Sequence, residues 1–321
     1  TLVSRAAAAL GWASLALIPV LMILVAVLAR RIRGPATAPL AWILGATVVL
    51  LAVDLATGAR LQLGGILGYA PHGRFYGLGN AGFAVLGSFA LTAAALHVHH
   101  APRRREALAS AAAFLAFVVV IDGAPGLGGD VGGLLTLVPV FALTWMAMAG
   151  VRLTWRRLAG VAGIAMLGLA TATAFDLLRP PGSRTHLGRL AADTWHAGPG
   201  HLLTVLGRRI DINLGLLVRV PWSWLVLAVV AGVVYALVVR RMGADLLPPG
   251  GPLRAGVLGT LAVGVVGFVL NDSGVIVTAL ALLAVGPLLA TLALNPPAPA
   301  PLPPALLEPA SDPGRRARTT T

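Results

Sequence analysis

Residues 103–133 read Arg103-Arg-Arg-Glu106-Ala-Leu-Ala-Ser-Ala-Ala-Ala-Phe-Leu-Ala-Phe-Val-Val-Val-Ile-Asp122-Gly-Ala-Pro-Gly-Leu-Gly-Gly-Asp130-Val-Gly-Gly133. Three arginines open the stretch, and the 15 residues between Glu106 and Asp122 are apolar except for Ser110. A glycine-rich loop held between two aspartates follows. As a helix those residues reach about 22 Å at ~1.5 Å per residue, short of the ~30 Å hydrocarbon core of a bilayer. Either the helix borrows part of the loop before it, or the glycine-rich loop sits below the membrane surface. Short, glycine-interrupted spans of this kind point to binding sites in transporters.

The same pattern recurs outward in both directions. Apolar runs fall at 10–29, 38–56, 77–97, 107–121, 131–151, 158–175, 222–240, 254–270 and 274–294. These predict an all-α bundle of about nine transmembrane helices within a domain of residues 1–295. The Pro/Ala-rich remainder, 296–321, is expected to be a disordered cytoplasmic tail. Composition agrees: 58% of the 321 residues are hydrophobic and 11% charged, with a mean hydropathy of +0.88. A soluble domain carries about 25% charged residues, so that class is excluded. Cysteine is absent, which removes disulfides, thiol nucleophiles and Cys-based metal sites. The first run is longer than a signal-peptide core and lacks a cleavage site after it, so it reads as a true span. The chain opens at Thr1 without an initiator Met, and the expectation is the C-terminal part of a longer protein.

All 24 cations are arginine, against 11 acids. Their placement argues against nucleic acid as a partner, because most lie in short clusters between apolar runs, as membrane anchors do. Fifteen occupy one set of loops, at Arg30–Arg33, Arg103–Arg105, Arg152–Arg157, Arg240–Arg254 and the tail. The short loops of the other side hold Arg5, Arg60 and Arg74, and the remaining six lie in the long segment 176–221. The positive-inside rule puts the N-terminus outside and the C-terminus in the cytoplasm of a multi-pass cytoplasmic-membrane protein.

Seven of the eleven acids then fall on the outer side, where a carboxylate near hydrocarbon is expensive unless it is paired or hydrated. Four outer segments carry candidate residues. The first runs from Asp54 to Asn80 and includes Arg74 and Gly77-Leu-Gly-Asn-Ala-Gly82. The last six match GxGxxG, yet a dinucleotide site needs a preceding strand and a βαβ unit, and here a membrane helix follows at once. The glycines leave N–H groups uncovered at a helix start beside Arg74, an anion site, or they serve only close helix packing. The second segment, Asp122 to Gly133, contains small-xxx-small pairs that explain its glycines but not Asp122 or Asp130. The third, Asp176-Leu-Leu-Arg-Pro-Pro-Gly-Ser-Arg-Thr-His-Leu-Gly-Arg189, places Arg179, Arg184, Arg189 and His186 around a proline turn. It reads as a phosphate- or carboxylate-binding set with a proton-transfer group, or as a solvated basic loop. The fourth, Asn271-Asp272-Ser-Gly274, is also what turn chemistry alone demands.

Beyond the third segment, Leu203, Leu206, Ile210, Leu214 and Leu217 repeat at helical spacing opposite Arg208, Arg209, Asp211 and Asn213. This predicts an outer amphipathic helix, either interfacial or packed as a lid. His97, His99 and His100 resemble a metal tract, but only Glu106 lies near in sequence and a headgroup anchor is the better reading. No metal and no cofactor are called for.

These elements in this order resemble an uncharacterised family of actinobacterial integral membrane proteins. The matching residues are Leu67-Gly-Tyr with Arg74-Phe-Tyr-Gly-Leu-Gly-Asn80, Gly123-Ala-Pro with Gly129-Asp-Val-Gly-Gly133, Asp176-Leu-Leu-Arg-Pro-Pro with Arg184-Thr-His-Leu-Gly-Arg189, and Leu270-Asn-Asp-Ser-Gly274. The likeness spans about residues 50–285. Members look like fusions of such a membrane half to an N-terminal extracytoplasmic domain similar to alkaline phosphatase, which the resemblance implies as a partner in the same polypeptide. More distant relatives follow the Asn80 position with a glutamate; here Ala81 stands there.

Three functions remain open. The first is a module binding or translocating an anionic, phosphate-bearing lipid or lipid-linked envelope precursor at the outer face. Its substrate set would be Arg74, Asn80, Arg179, Arg184 and Arg189 with Asp54, Asp176, Asn271 and Asp272. The second is a lipid-phosphate-dependent transferase, with His186, Asp122 or Asp130 as catalytic candidates. The third is an anchor or scaffold for the phosphatase-like domain.

Overall fold

The computed structural model describes residues 34–59, 77–124, 126–240, 243–271 and 274–295. The expected span 10–29, the tail 296–321, Arg74 and Asp272 lie outside the described residues. Among the described residues the chain is all-α, with no strand. Its helices are α1 (Ala38–Ala56), α2 (Asn80–His100), α3 (Arg104–Gly123), α4 (Val131–Met148), α5 (Trp155–Leu177), α6 (His186–Ala197), α7 (Pro199–Arg219), α8 (Trp222–Val238), α9 (Pro252–Leu270) and α10 (Val275–Leu294). Seven are long and apolar enough to cross a membrane: α1 to α5, α9 and α10. α8, at 17 residues, is slightly shorter and follows a 99° bend from Leu203–Arg219. The protein is a multi-pass membrane helix bundle.

The described spans sit where hydropathy puts them, with adjustments at the ends that have local causes. α2 starts at Asn80 rather than at 77 because Gly77 takes φ +77° and Gly79 is extended. α3 resolves the short-span question by borrowing from the arginine loop. It begins at Arg104 and runs 20 residues to Gly123, about 30 Å at ~1.5 Å each. The loop after it is also drawn into the bundle, where it bonds back to the end of α3.

α2 is the central helix, in contact with α1, α3, α4, α9 and α10. Lipid tails are as apolar as leucine, so close packing rather than water exclusion holds such helices together. Small residues permit it. A Cβ on Gly256 of α9 would lie 2.2 Å from Cβ of Ala95 on α2, so these two backbones meet at glycine distance. Interhelical hydrogen bonds add to this. Thr92 and Thr260 hydroxyls lie 2.9 Å apart, and Trp145 Nε1 on α4 donates to Leu108 O on α3 at 2.8 Å. α5 is peripheral; it packs along α4 and turns Ile164, Leu167 and Phe175 outward.

The two ends of the bundle differ chemically. At the arginine-rich end Arg104 donates to Met148 O at 2.6 Å, and Arg254 donates to Leu247 O and Leu237 O. These guanidiniums satisfy carbonyls left unpaired at the ends of α4 and α8 and in the turn before α9. Thr37 and His100 also meet there, at 2.6 Å. At the opposite end the glycine-rich loops gather.

Candidate functional site

The α3–α4 loop folds back onto the end of α3. Gly128 N donates to Ile121 O at 2.9 Å, and Asp130 N donates to Asp122 O at 3.0 Å. The segment entering α2 is stitched to the same loop by Leu78 N to Gly128 O at 2.8 Å. These bonds bring the starts of α2 and α4 and the end of α3 into one polar patch. Within it Asp122 is 0% and Asp130 2% exposed.

Two glycines at the start of α4 set the spacing. A Cβ on Gly133 would fall 2.2 Å from Asp122 Oδ2, and one on Gly132 the same distance from Asn271 Oδ1. The carboxylate of α3 and the amide at the end of α9 therefore rest directly on α4 backbone. Asp130, the N-cap of α4, makes no side-chain capping bond, so α4 presents a positive dipole end to its neighbours. A buried carboxylate is favoured at that place.

Asn271 is 4% exposed, and its Nδ2 has no hydrogen-bond partner among the described residues. A buried amide N–H without a partner is uncommon in folded proteins and calls for an explanation. Its carbonyl is engaged: Asn213 Nδ2 of α7 donates to Asn271 O at 3.0 Å and to Phe268 O at 2.9 Å. Arg209 Nη1 donates to Leu270 O at 2.8 Å. The polar side of α7 thus caps the carbonyls ending α9, while Leu203, Ile210 and Leu214 of its apolar side remain exposed. α7 is docked through its polar face and free along its apolar one.

The α5–α6 corner is a second, self-contained polar unit. The fully buried Asp176 accepts from Thr185 N at 2.9 Å, Thr185 Oγ1 at 2.6 Å and Gly188 N at 2.7 Å. It caps the start of α6 from across the proline turn. Arg184 folds back on the end of α5, with Nη2 donating to Leu177 O at 3.0 Å and Nε to Arg179 O at 3.2 Å. Arg179 is 3.7 Å from Asp176, and its Nη2 lies 3.9 Å from where a Cβ on Gly126 would stand. It therefore links this corner to the rim of the glycine loop.

Of the residues picked from sequence, Asp122, Asp130 and Asn271 come together, Asn80 opens α2 beside them, and Arg179 reaches the rim. Asp176 and Arg184 are spent on the corner's own backbone, and Arg189 is exposed. Asp54 is buried near the end of α1. His186 begins α6, but its side chain lies outside the described residues, as do Arg74 and Asp272. Sequence reading gave Gly132 and Gly133 a packing role and put Asn213 on the polar face of an amphipathic helix, but assigned no role to Thr185 or Gly188. The Gly-Gly pair after Asp130 and the Thr at a helix start were the available signals. The histidine tract divides: His97 pairs with Ser110 at 2.8 Å and His100 with Thr37. Among the described residues no three His, Asp or Glu side chains converge as a metal site would require.

No family model, curated protein or solved structure matches this chain. The geometry of the polar end is what bears on function.

Proposed function

We propose that the chain binds or translocates a phosphate-bearing lipid or lipid-linked envelope precursor at its glycine-rich end, which the positive-inside rule places on the outer face. The observation that carries this reading is the buried Nδ2 of Asn271, which has no hydrogen-bond partner among the described residues, beside the start of α4. Next to it stand the buried Asp122 and Asp130, with Arg179 at the rim. Ionisable groups at membrane depth are functional-site candidates by default. Phosphate would meet Arg179 and Arg189, since Arg184 already serves the carbonyls of Leu177 and Arg179. Asn271 offers a donor for a hydroxylated headgroup. The family resemblance adds an extracytoplasmic phosphatase-like domain as partner in the same polypeptide.

The test is native mass spectrometry of the detergent-purified chain beside an Arg74→Ala/Arg179→Ala variant. A phosphate-bearing lipid retained by the parent and lost by the variant is the expected result. Equal retention by both, or none in either, would overturn the reading and leave an anchor for the phosphatase-like domain.

A further inference from the structure

A groove of about 270 Å³ opens on the flank of the bundle between α2 and α3, lined by Ala93, Ala94, His97, Ser110, Ala111 and Phe114. It lies toward the arginine-rich end, far from the site above. The groove forms because the alanines facing one another across the two helices are too small to close the gap. Its polar content is a single pair, His97 Nε2 and Ser110 Oγ at 2.8 Å, with Ser110 also donating to Ala107 O at 3.1 Å. That pair makes no part of the site at the glycine-rich end.

We propose that this groove holds one chain of an anionic diacyl phospholipid of the arginine-side leaflet, with its phosphate at Arg103. Three observations fix the occupant. First, Phe117 and Val120 of α3 continue outward-facing past the groove and are exposed. From Ser110 to Val120 is ten residues, about 15 Å at ~1.5 Å each, an apolar track running toward the membrane centre. Second, the head of the track carries charge of the right sign. Arg103 stands two turns before Ser110 and is 78% exposed, and its 3.2 Å pairing with Glu106 is a solvent-exposed one. Such surface pairs are weak, so the guanidinium exchanges readily to a phosphate, for which its planar fork is well suited. Third, the hydroxyl–imidazole pair lies along α3 between the charged head and the apolar track, where it would meet the ester groups of a lipid whose phosphate sits at Arg103. Basic pockets between spans are known to select anionic headgroups on this principle. This inference uses none of the residues of the proposed outer site and stands or falls separately.

The test uses the full chain in micelles supplemented with dioleoyl phosphatidylglycerol or dioleoyl phosphatidylcholine, read by native mass spectrometry. The parent should retain one phosphatidylglycerol in preference to phosphatidylcholine. Ser110→Trp, a substitution at an exposed position that fills the groove, should lose that lipid. Arg103→Gln should leave the groove open, weaken phosphatidylglycerol about tenfold, as loss of one charged hydrogen bond implies, and abolish the headgroup preference. Arg179→Ala, at the opposite end, should retain the lipid. Retention by Ser110→Trp, or equal binding of the two lipids by the parent, would overturn the proposal. So would efficient disulfide formation from Ser110→Cys, in this cysteine-free chain, to a cysteine scanned through 10–29 or to a second copy. That result would assign the groove to protein instead.

Discussion

Replacing Asp176 with Ala tests whether the α5–α6 corner is held by one carboxylate. The side chain is fully buried and accepts from two backbone N–H groups and one hydroxyl, at 2.6 to 2.9 Å for the closest contact of each. Hydrogen bonds to a charged group contribute roughly 1.5–3 kcal/mol each, and neighbouring bonds do not add in full. Removing one member of a buried charged set costs about 3–5 kcal/mol, because the remaining partners are left unsatisfied. Taking the low end, ~3 kcal/mol corresponds to about a hundredfold change in an opening equilibrium. α6 packs mainly on α5 and α7, so the loss should be local. Hydrogen exchange is the assay. The amides of Thr185 and Gly188 should exchange about a hundredfold faster, while those of the central α2 keep their protection. Asp176→Asn keeps one acceptor but turns an NH2 toward N–H donors, and should fall between parent and Asp176→Ala. Unchanged protection at Gly188 in Asp176→Ala would refute the reasoning, as would equal loss in α2.

Two further outcomes follow from the polar end. Gly133→Ala puts a methyl 2.2 Å from Asp122 Oδ2 and should lower the thermal unfolding midpoint by an amount equivalent to about 1–3 kcal/mol of overpacking. Gly160→Ala in α5 meets nothing within 4 Å and should be neutral or slightly stabilising, so equal effects of the two would sink the close-packing argument. Asn213→Ala removes the bonds to Phe268 O and Asn271 O and should release α7. Limited proteolysis within 199–219 should speed up several-fold, with the spans still resistant; unchanged cleavage would mean the docking is held by other contacts.

The bundle itself was legible because each span carries its own evidence. An apolar run such as Ala38–Ala56 satisfies its backbone internally and needs no knowledge of its neighbours. Helix ends were less legible. α3 begins three residues before the apolar run, since an arginine can lie within a helix while its head reaches out to a carbonyl, as Arg104 does to Met148 O. The polar residues of the glycine-rich end were visible as a class, but their division into two units was not. Asp176, Arg179 and Arg184 look alike in sequence as parts of one charged loop. In the structure Arg184 and Asp176 bind backbone, and Arg179 alone reaches the glycine loop.

What the linear sequence determined, then, is the class of molecule: an all-α, multi-pass membrane bundle with glycines and most carboxylates collected at one end and fifteen of the 24 arginines at the other. Hydropathy is a sum over neighbours in the chain, and the bilayer imposes one length scale on it. What only the tertiary structure decided is which polar groups share a space. The contact of Asp122 with Gly133, of Asn271 with Gly132, and of Asn213 with the end of α9 joins residues up to 139 positions apart. Those meetings depend on how helices rotate and cross, which is set by side-chain packing over the whole bundle and leaves no periodic trace in any one span.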